Sequence, residues 1–561
     1  MKLFRWLSGV VILTFLTSCG GGGGISIFPT ETPLPQPIVT VMGAPDAGAA
    51  LSSYLDAFKA DDYNTMYGSI SKVSQDTITL EDFARRNRDA LNEMSAGSFD
   101  YEILSSLVSP YSSEVAFRVT YHTALVGDVQ REMIARFALE NNAWKLQWDD
   151  SLILPELAGG NVLRMDYSSP SRGNIYDRDG DVLVAQSDAH AFYIIPGNVT
   201  DESIDTLLSE VQRLCGNSME ALAQEIFNTP AQFPIPLCEA SSQESERIRS
   251  VFPSGLQWTD YNTRYYFQQG VGSNIIGYTT FISEEDMETY RRLGYAQDAR
   301  VGADGIELWA EDYLAGERGG DLYVINPTTG QPVTKIGEKE PKAADSVYLT
   351  IDDNLQFYAQ QAIKGFTGAV VVLEVNTGRV LAMASSPSFD SNIFSSNNPN
   401  GGRAAELVSG SLLNRAAQGQ YPLGSVFKII TMAAGMESGL FEAQSTLDCQ
   451  YDWTRLTDTV RHDWTWEHCQ RDLQAGATEC TRPDNSPSGV LTLPQGLMRS
   501  CNPFFWEIGY VLDQNNRSSD IAKMARAFGL GSPTGIGQIT EASGQIVDPP
   551  TVIDVVNQTI G

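Results

Sequence analysis

The stretch Tyr421–Gly439, YPLGSVFKIITMAAGMESG, constrains this chain most, because it is a long apolar run broken by one lysine. Gly424 closes the preceding loop, and the spacing predicts a helix from Ser425 to Met436 with Val426, Ile429, Ile430, Met432 and Ala433 on buried faces. Positions i and i+3 share a helical face, so the amine of Lys428 reaches the hydroxyl of Ser425. A serine hydroxyl is a poor nucleophile at neutral pH. A desolvated lysine near a helix N-terminus is held neutral enough to take its proton. Spacing alone is a weak signal, since Ser69 and Lys72 repeat the SxxK pattern, and a lone copy is ordinarily a helix cap followed by a surface lysine. The surroundings must decide between the copies.

A chain of 561 residues exceeds one core, so roughly two to four domains of about 100–200 residues each are expected. The formal charge of −31 argues against a nucleic-acid partner, because a polyanion would be repelled. At the N-terminus, Lys2 and Arg5 precede an apolar run from Trp6 to Ser18, which has the anatomy of an export signal and is shorter than the ~20 residues that span a bilayer. Leu16, Thr17, Ser18 and Cys19 resemble a bacterial lipobox, which implies cleavage before Cys19 and acylation of its thiol; an uncleaved membrane anchor is the alternative. Either places the remainder outside the cytoplasm, at the outer face of the plasma membrane.

In an oxidising compartment Cys215, Cys238, Cys449, Cys469, Cys480 and Cys501 are expected to form disulfides. Cys215 with Cys238 is the favoured pair, as these neighbours flank a helix-like stretch. A zinc site of His462, His468, Cys469 and Cys480 matches no standard ligand spacing, and no metal or cofactor is expected.

Residues 20–44, rich in glycine and then proline, read as a tether. From 45 to 156 come a helix with Ala50, Leu51, Tyr54, Leu55 and Phe58 on one face, a second helix from Leu80 to Leu91, and strands clearest at Val115, Phe117, Val119 and Tyr121. Helices on a curved antiparallel sheet follow from that order. His122 reads as a packed or edge residue of its strand, and the domain as a spacer. SPSRGNIYDRDGDVLVAQ carries Asp177, Asp179 and Asp181, but Val182 and Asp188 stand where a calcium loop needs glycine and glutamate, so a hairpin turning at Asp179 and Gly180 is expected. From about 346, SVYLTIDDNLQFYAQQAI gives a strand then a helix, and GAVVVLEVNTGRVLAMASSPSFDSN a hairpin through Asn376 to Gly378. The glycines after Gly529 lack the phosphate-loop pattern and read as a turn.

Residues 45–156 resemble the NTF2-like domain that precedes the catalytic parts of the methicillin-resistance type of penicillin-binding protein. RGNIYDRDGDVLV, RYYFQQGVGSNIIGYT from Arg264 and VGADGIELWAEDYLAGERGG from Val301 resemble the pedestal, or dimerisation, domain of class B penicillin-binding proteins, here 157–345. Asn274 replaces that family's usual histidine. Strand, helix and hairpin then precede LNRAAQGQYPLGSVFK in the family's order, and LTLPQGLMRSCN supplies Ser500, Cys501 and Asn502 as its SxN element. Ser395 with Asn397 and Ser396 with Asn398 repeat SxN by accident. The resemblance implies an α+β multidomain protein: an NTF2-like domain, a mainly β pedestal, and a transpeptidase domain from 346 to 561 with helices on both sides of a sheet.

It also implies that Ser425 attacks the D-Ala-D-Ala bond of a peptidoglycan stem peptide, that Lys428 accepts its proton, that Ser500 relays a proton to the leaving amine and that Asn502 holds the substrate amide. β-Lactams would acylate the same serine, and a glycosyltransferase of the cell-wall machinery is a possible partner. Cys501 is expected to be a buried thiol behind the site, and Cys449 to Cys480 a disulfide-pinned surface loop open to a partner or glycan. No KTG or KSG triplet follows Asn502. In the family that motif binds the substrate carboxylate and completes the oxyanion hole, so a C-terminally truncated, impaired enzyme is expected. The alternatives are a non-catalytic scaffold or β-lactam sensor, and a serine β-lactamase, which needs no pedestal.

Overall fold

The computed structural model describes residues 45–398, 400–457 and 459–561. Cys19, the export segment and the whole of the tether lie outside the described residues.

The helices Ala47–Lys59 and Leu80–Glu93, with two short helices between them, pack on an antiparallel meander of Ala96–Val108, Ser112–Thr123, Gly127–Glu140 and Ala143–Leu146. Side chains alternate across a strand, and Val115, Phe117, Val119 and Tyr121 all point into the core, opposite Leu51, Tyr54, Leu55 and Phe58. Ala50 is only half-buried. His122 lies on the outer face between Asp100 and Asp128. The first SxxK copy is broken at a helix boundary: Ser69 ends one helix, bonded back to the Thr65 carbonyl, and Lys72 starts the next, paired with Asp76 at 2.8 Å in solvent. It therefore builds no site.

Two larger sheets and a short antiparallel pair, Thr279–Phe281 with Arg300–Gly302, form the pedestal. Val162–Ser168, Gly319–Ile325 and Pro332–Lys339 make one, and Leu163, Met165, Leu322 and Val324 join it to the core of the first domain. In the other, the long strand Val182–Ile194 pairs with Leu256–Tyr266 along its length, with Ile175–Tyr176 at its start and with Ile235–Ser241 at its end. The turn between Tyr176 and Val182 is the expected hairpin. Gly180 has φ +93°, and the buried Asp177 carboxylate accepts the amides of Asp179 and Asp181 at 2.9 and 2.8 Å. Cys215, at the end of the helix Ile204–Cys215, is joined to Cys238 in the strand Ile235–Ser241, as the spacing predicts.

The segments RGNIYD, RYYF and GIELW, far apart in the chain, converge on one buried carboxylate. Glu307 is fully buried and receives Arg172 Nε at 2.8 Å, Arg264 Nε at 2.5 Å and Tyr266 Oη at 3.0 Å. The two guanidiniums hold the Glu307 carboxyl below its ordinary range against the opposing effect of burial. Asn274 ties this domain to the segment before Ser425: its Nδ2 donates to the Ser411 carbonyl at 2.7 Å, and its carbonyl accepts from Asn414 Nδ2 at 3.0 Å.

In the last domain the hairpin Gly368–Leu373 and Val380–Ser386 carries the helix Asp353–Ala362 on one face, where Val370 and Val372 meet Ala359. Val371 and Leu373 on the other face are exposed, so helices on both sides of this sheet are not what the described residues show. The helix Lys428–Glu437 packs instead against Asn502–Gln514 and Asp520–Ala527, around Ile430, Ala434, Phe504, Phe505 and Ile508. Val426 and Ile429, expected inside, are exposed for the same reason: the helical cluster covers only one of the two apolar stripes. Among the described residues no helix is long and apolar enough to cross a membrane.

Candidate active site

Ser425 lies in a 3₁₀ turn, Gly424–Phe427, that runs directly into the helix Lys428–Glu437. Gly424 has φ +58°, a left-handed conformation in which a side chain is strained, and this turns the incoming loop into the helix. Ser425 is exposed, whereas Lys428 is fully buried. The helix Leu493–Met498 leads to Ser500 and is opened by a capping box of Thr492 and Gln495. Asn502 begins the next helix, Asn502–Gln514, with Pro503 in its first turn.

Lys428 Nζ is the hub. It lies 3.1 Å from Ser425 Oγ, 3.0 Å from Ser500 Oγ, 2.9 Å from the Ser500 carbonyl and 2.5 Å from Asn502 Oδ1. The ring of Phe505 closes the site 5.6 Å from the amine. Burial lowers the Lys428 amine from 10.5 to about 8, opposed by the negative charge of Asp463. A position in the first helical turn also disfavours the cation. An ammonium has three N–H groups for these four oxygens; a neutral amine donates two and turns its lone pair to the Ser425 hydroxyl. The arrangement therefore suits proton transfer from Ser425 to Lys428 and onward to Ser500.

All four expected residues, Ser425, Lys428, Ser500 and Asn502, thus meet in one place, while the chance copies at Ser395 and Ser396 lie near the pedestal, with Ser395 Oγ 3.1 Å from Thr263 Oγ1. Ser500 has φ +52°, a left-handed conformation that a non-glycine residue keeps only where its surroundings enforce it.

The Cys501 expectation needs correction. It is not a free thiol but forms a disulfide with Cys449. Cys501 caps the helix Asn502–Gln514, so its side chain turns away from Lys428 toward the strand Thr446–Cys449. The tryptophan-rich segment is pinned by Cys469–Cys480, and neither sulfur is left as a thiolate. That segment is also less of a free surface loop than expected. Trp453 Nε1 donates to Glu507 at 3.0 Å and Trp464 Nε1 to the Arg499 carbonyl at 3.3 Å, docking it behind the site. Asp463 was not foreseen. It is buried, caps the helix Trp464–Gln474 and receives the Asn502 amide at 2.9 Å. Its place before WTWEH between two cysteines signals a helix cap, but nothing local points to Asn502.

Residues 46–161 match the NTF2-like N-terminal transpeptidase domain family, 167–349 the penicillin-binding protein dimerisation domain and 368–561 the penicillin-binding protein transpeptidase domain. The chain has the domain set of a class B penicillin-binding protein. Among such proteins it is 29% identical over 403 residues to the peptidoglycan D,D-transpeptidase MrdA of Escherichia coli strain K12, covering 69% of this chain and 59% of that protein. It is 25% identical over 358 residues to penicillin-binding protein 3 of Bacillus subtilis strain 168, covering 61% and 52%. A solved complex between a penicillin-binding protein (PBP2) and MreC from Helicobacter pylori aligns with a TM-score of 0.48 at 20% identity, over 71% of this chain and 74% of that one. The chain spans about three fifths of the length of the MrdA relative, 59%. The transpeptidase match contains Ser425, Lys428, Ser500 and Asn502.

Proposed function

We propose that this chain belongs to a peptidoglycan D,D-transpeptidase that works through an acyl-enzyme at Ser425. The observation that carries the reading is the single buried amine, Lys428, within 3.1 Å of both Ser425 Oγ and Ser500 Oγ. Ser425 Oγ attacks the carbonyl carbon of the D-Ala-D-Ala bond while Lys428 takes the hydroxyl proton. The tetrahedral intermediate collapses, the C–N bond breaks, and the departing D-alanine amine receives a proton passed from Lys428 through Ser500. Asn502 orients the amine and offers its amide to the stem peptide. An amine of a second stem peptide then attacks the ester, restoring Ser425 and leaving a cross-link.

A β-lactam carries a strained amide in place of the dipeptide bond and would acylate Ser425 by the same proton path. The first domain and the pedestal serve as spacers that hold this site away from the membrane, outside the cytoplasm. Labelling with a fluorescent penicillin tests the reading. A stable label lost in Ser425→Ala supports it, rapid turnover of the label points to a β-lactamase, and no labelling of the wild-type chain counts against an acylating site.

A further inference from the structure

We propose that Asp463 is a positioning residue for this site: its carboxylate anchors the backbone amide of Asn502 and so fixes the Ser500–Asn502 loop against Lys428. The inference rests on the acylation reading above for its catalytic consequence. Its structural basis is independent.

Asp463 is 1% exposed, and each of its polar groups is engaged. Its amide donates to the Tyr451 carbonyl at 2.7 Å, Oδ2 accepts the Thr465 hydroxyl at 2.7 Å, and Oδ1 accepts the Asn502 amide at 2.9 Å. The first amides of a helix have no partner within it, and Asn502 is the first residue of Asn502–Gln514. Cys501 Sγ accepts the Phe504 amide at 3.4 Å, which leaves the Asn502 amide to Asp463. Cys449, bonded to Cys501, holds the residue between Ser500 and Asn502. Carboxylate and disulfide together clamp a loop in which Ser500 keeps an unfavoured φ of +52°. Without that clamp the loop can relax, and a drift of about 1 Å breaks a 3.0 Å contact such as Lys428 Nζ to Ser500 Oγ.

The charge of Asp463 also reaches Lys428. On the helices Lys428–Glu437 and Asn502–Gln514 and the Ser500 loop, the groups facing the amine are Ser425, Ser500, Asn502 and Phe505, all uncharged. Against Asp463 itself lie Thr465 of Trp464–Gln474 and the Cys449–Cys501 bridge, also uncharged. Asp463 is therefore the charged group that favours the ammonium form of Lys428.

The test compares the full chain with Asp463→Asn and Asp463→Ala by three readouts. These are hydrogen exchange at the Asn502 amide, titration of Lys428 followed by ¹³Cε NMR with Lys428→Arg as the assignment control, and the acylation rate with a fluorescent penicillin. In Asp463→Ala, exchange at Asn502 should rise and acylation fall, each by about tenfold or more. In Asp463→Asn, whose side-chain oxygen still accepts, both should stay within about threefold, while Lys428 titrates at lower pH because the opposing charge is gone. Unchanged exchange in Asp463→Ala, or a Lys428 titration in Asp463→Asn that matches wild type, overturns the proposal. If Asp463→Ala does not fold, Asp463→Ser, whose hydroxyl can still cap its own helix but is too short to reach the Asn502 amide, is compared by the same exchange readout, and unchanged exchange there overturns the proposal. A wild-type chain that takes no label sinks the acylation reading alone, since exchange and titration judge Asp463 without it.

Discussion

If Lys428 is the base for Ser425, acylation must follow the free amine. An ordinary lysine at 10.5 is about 0.03% neutral at pH 7, whereas one at about 8 is about 9% neutral, a gain of roughly 300-fold in working base, equivalent to about 3 kcal/mol. Burial raises the cost of the ammonium, so the protonated form dominates below about 8 and the neutral form above it. The second-order rate of fluorescent-penicillin labelling, measured between pH 5.5 and 9.5, should climb about tenfold per pH unit and flatten above about 8. Lys428→Arg keeps the positive charge but has no accessible neutral form, and should lose about 100-fold or more at pH 8. A rate independent of pH over this range, or an arginine variant with a third of wild-type activity, would refute the assignment of Lys428 as base.

Three further outcomes follow from the geometry. Replacing Cys449 and Cys501 with serine frees the residue between Ser500 and Asn502, so labelling should fall about tenfold while far-UV circular dichroism is retained; an unchanged rate would show that the bridge does not support the loop. Glu307→Gln leaves Arg264 buried without a counter-ion, while Arg172 keeps Glu311 at 2.8 Å, and should destabilise the chain by about 3–5 kcal/mol in urea unfolding; a loss under about 1 kcal/mol contradicts the buried-pair account. Glu239, buried beside Asp390 at the contact of the pedestal with the last domain, is pushed up by burial to about 7, and Asp390 to about 6. Both folded values lie above the ordinary ones, so the stability they contribute is full below about 4 and is lost as pH rises through 6 to 7. The melting temperature should then fall between pH 5.5 and 7.5, and Glu239→Gln should reduce that fall; equal pH dependence in variant and wild type would discount Glu239.

Local spacing in the sequence determined a good deal of this protein. Three-residue separation puts Lys428 under Ser425, alternation puts Val115, Phe117, Val119 and Tyr121 on one face, and Asp179–Gly180 makes a turn, because each depends only on backbone geometry within a few residues. The Cys215–Cys238 bridge was legible for a similar reason, as its ends flank one helix. Tertiary structure decided the rest. Periodicity marked Val426 and Ile429 as apolar, but which stripe is covered depends on where Asn502–Gln514 and Asp520–Ala527 dock. The union of Arg172, Arg264 and Glu307, the Cys449–Cys501 bridge and the bond from Asp463 to Asn502 join residues tens of positions apart. The chemical state of Lys428 belongs with them. A lysine three residues from a serine is a pattern in the sequence, and its amine is pushed toward the neutral form that the proposed base requires only because Phe505, Ser500 and Asn502 arrive from elsewhere in the chain to bury it.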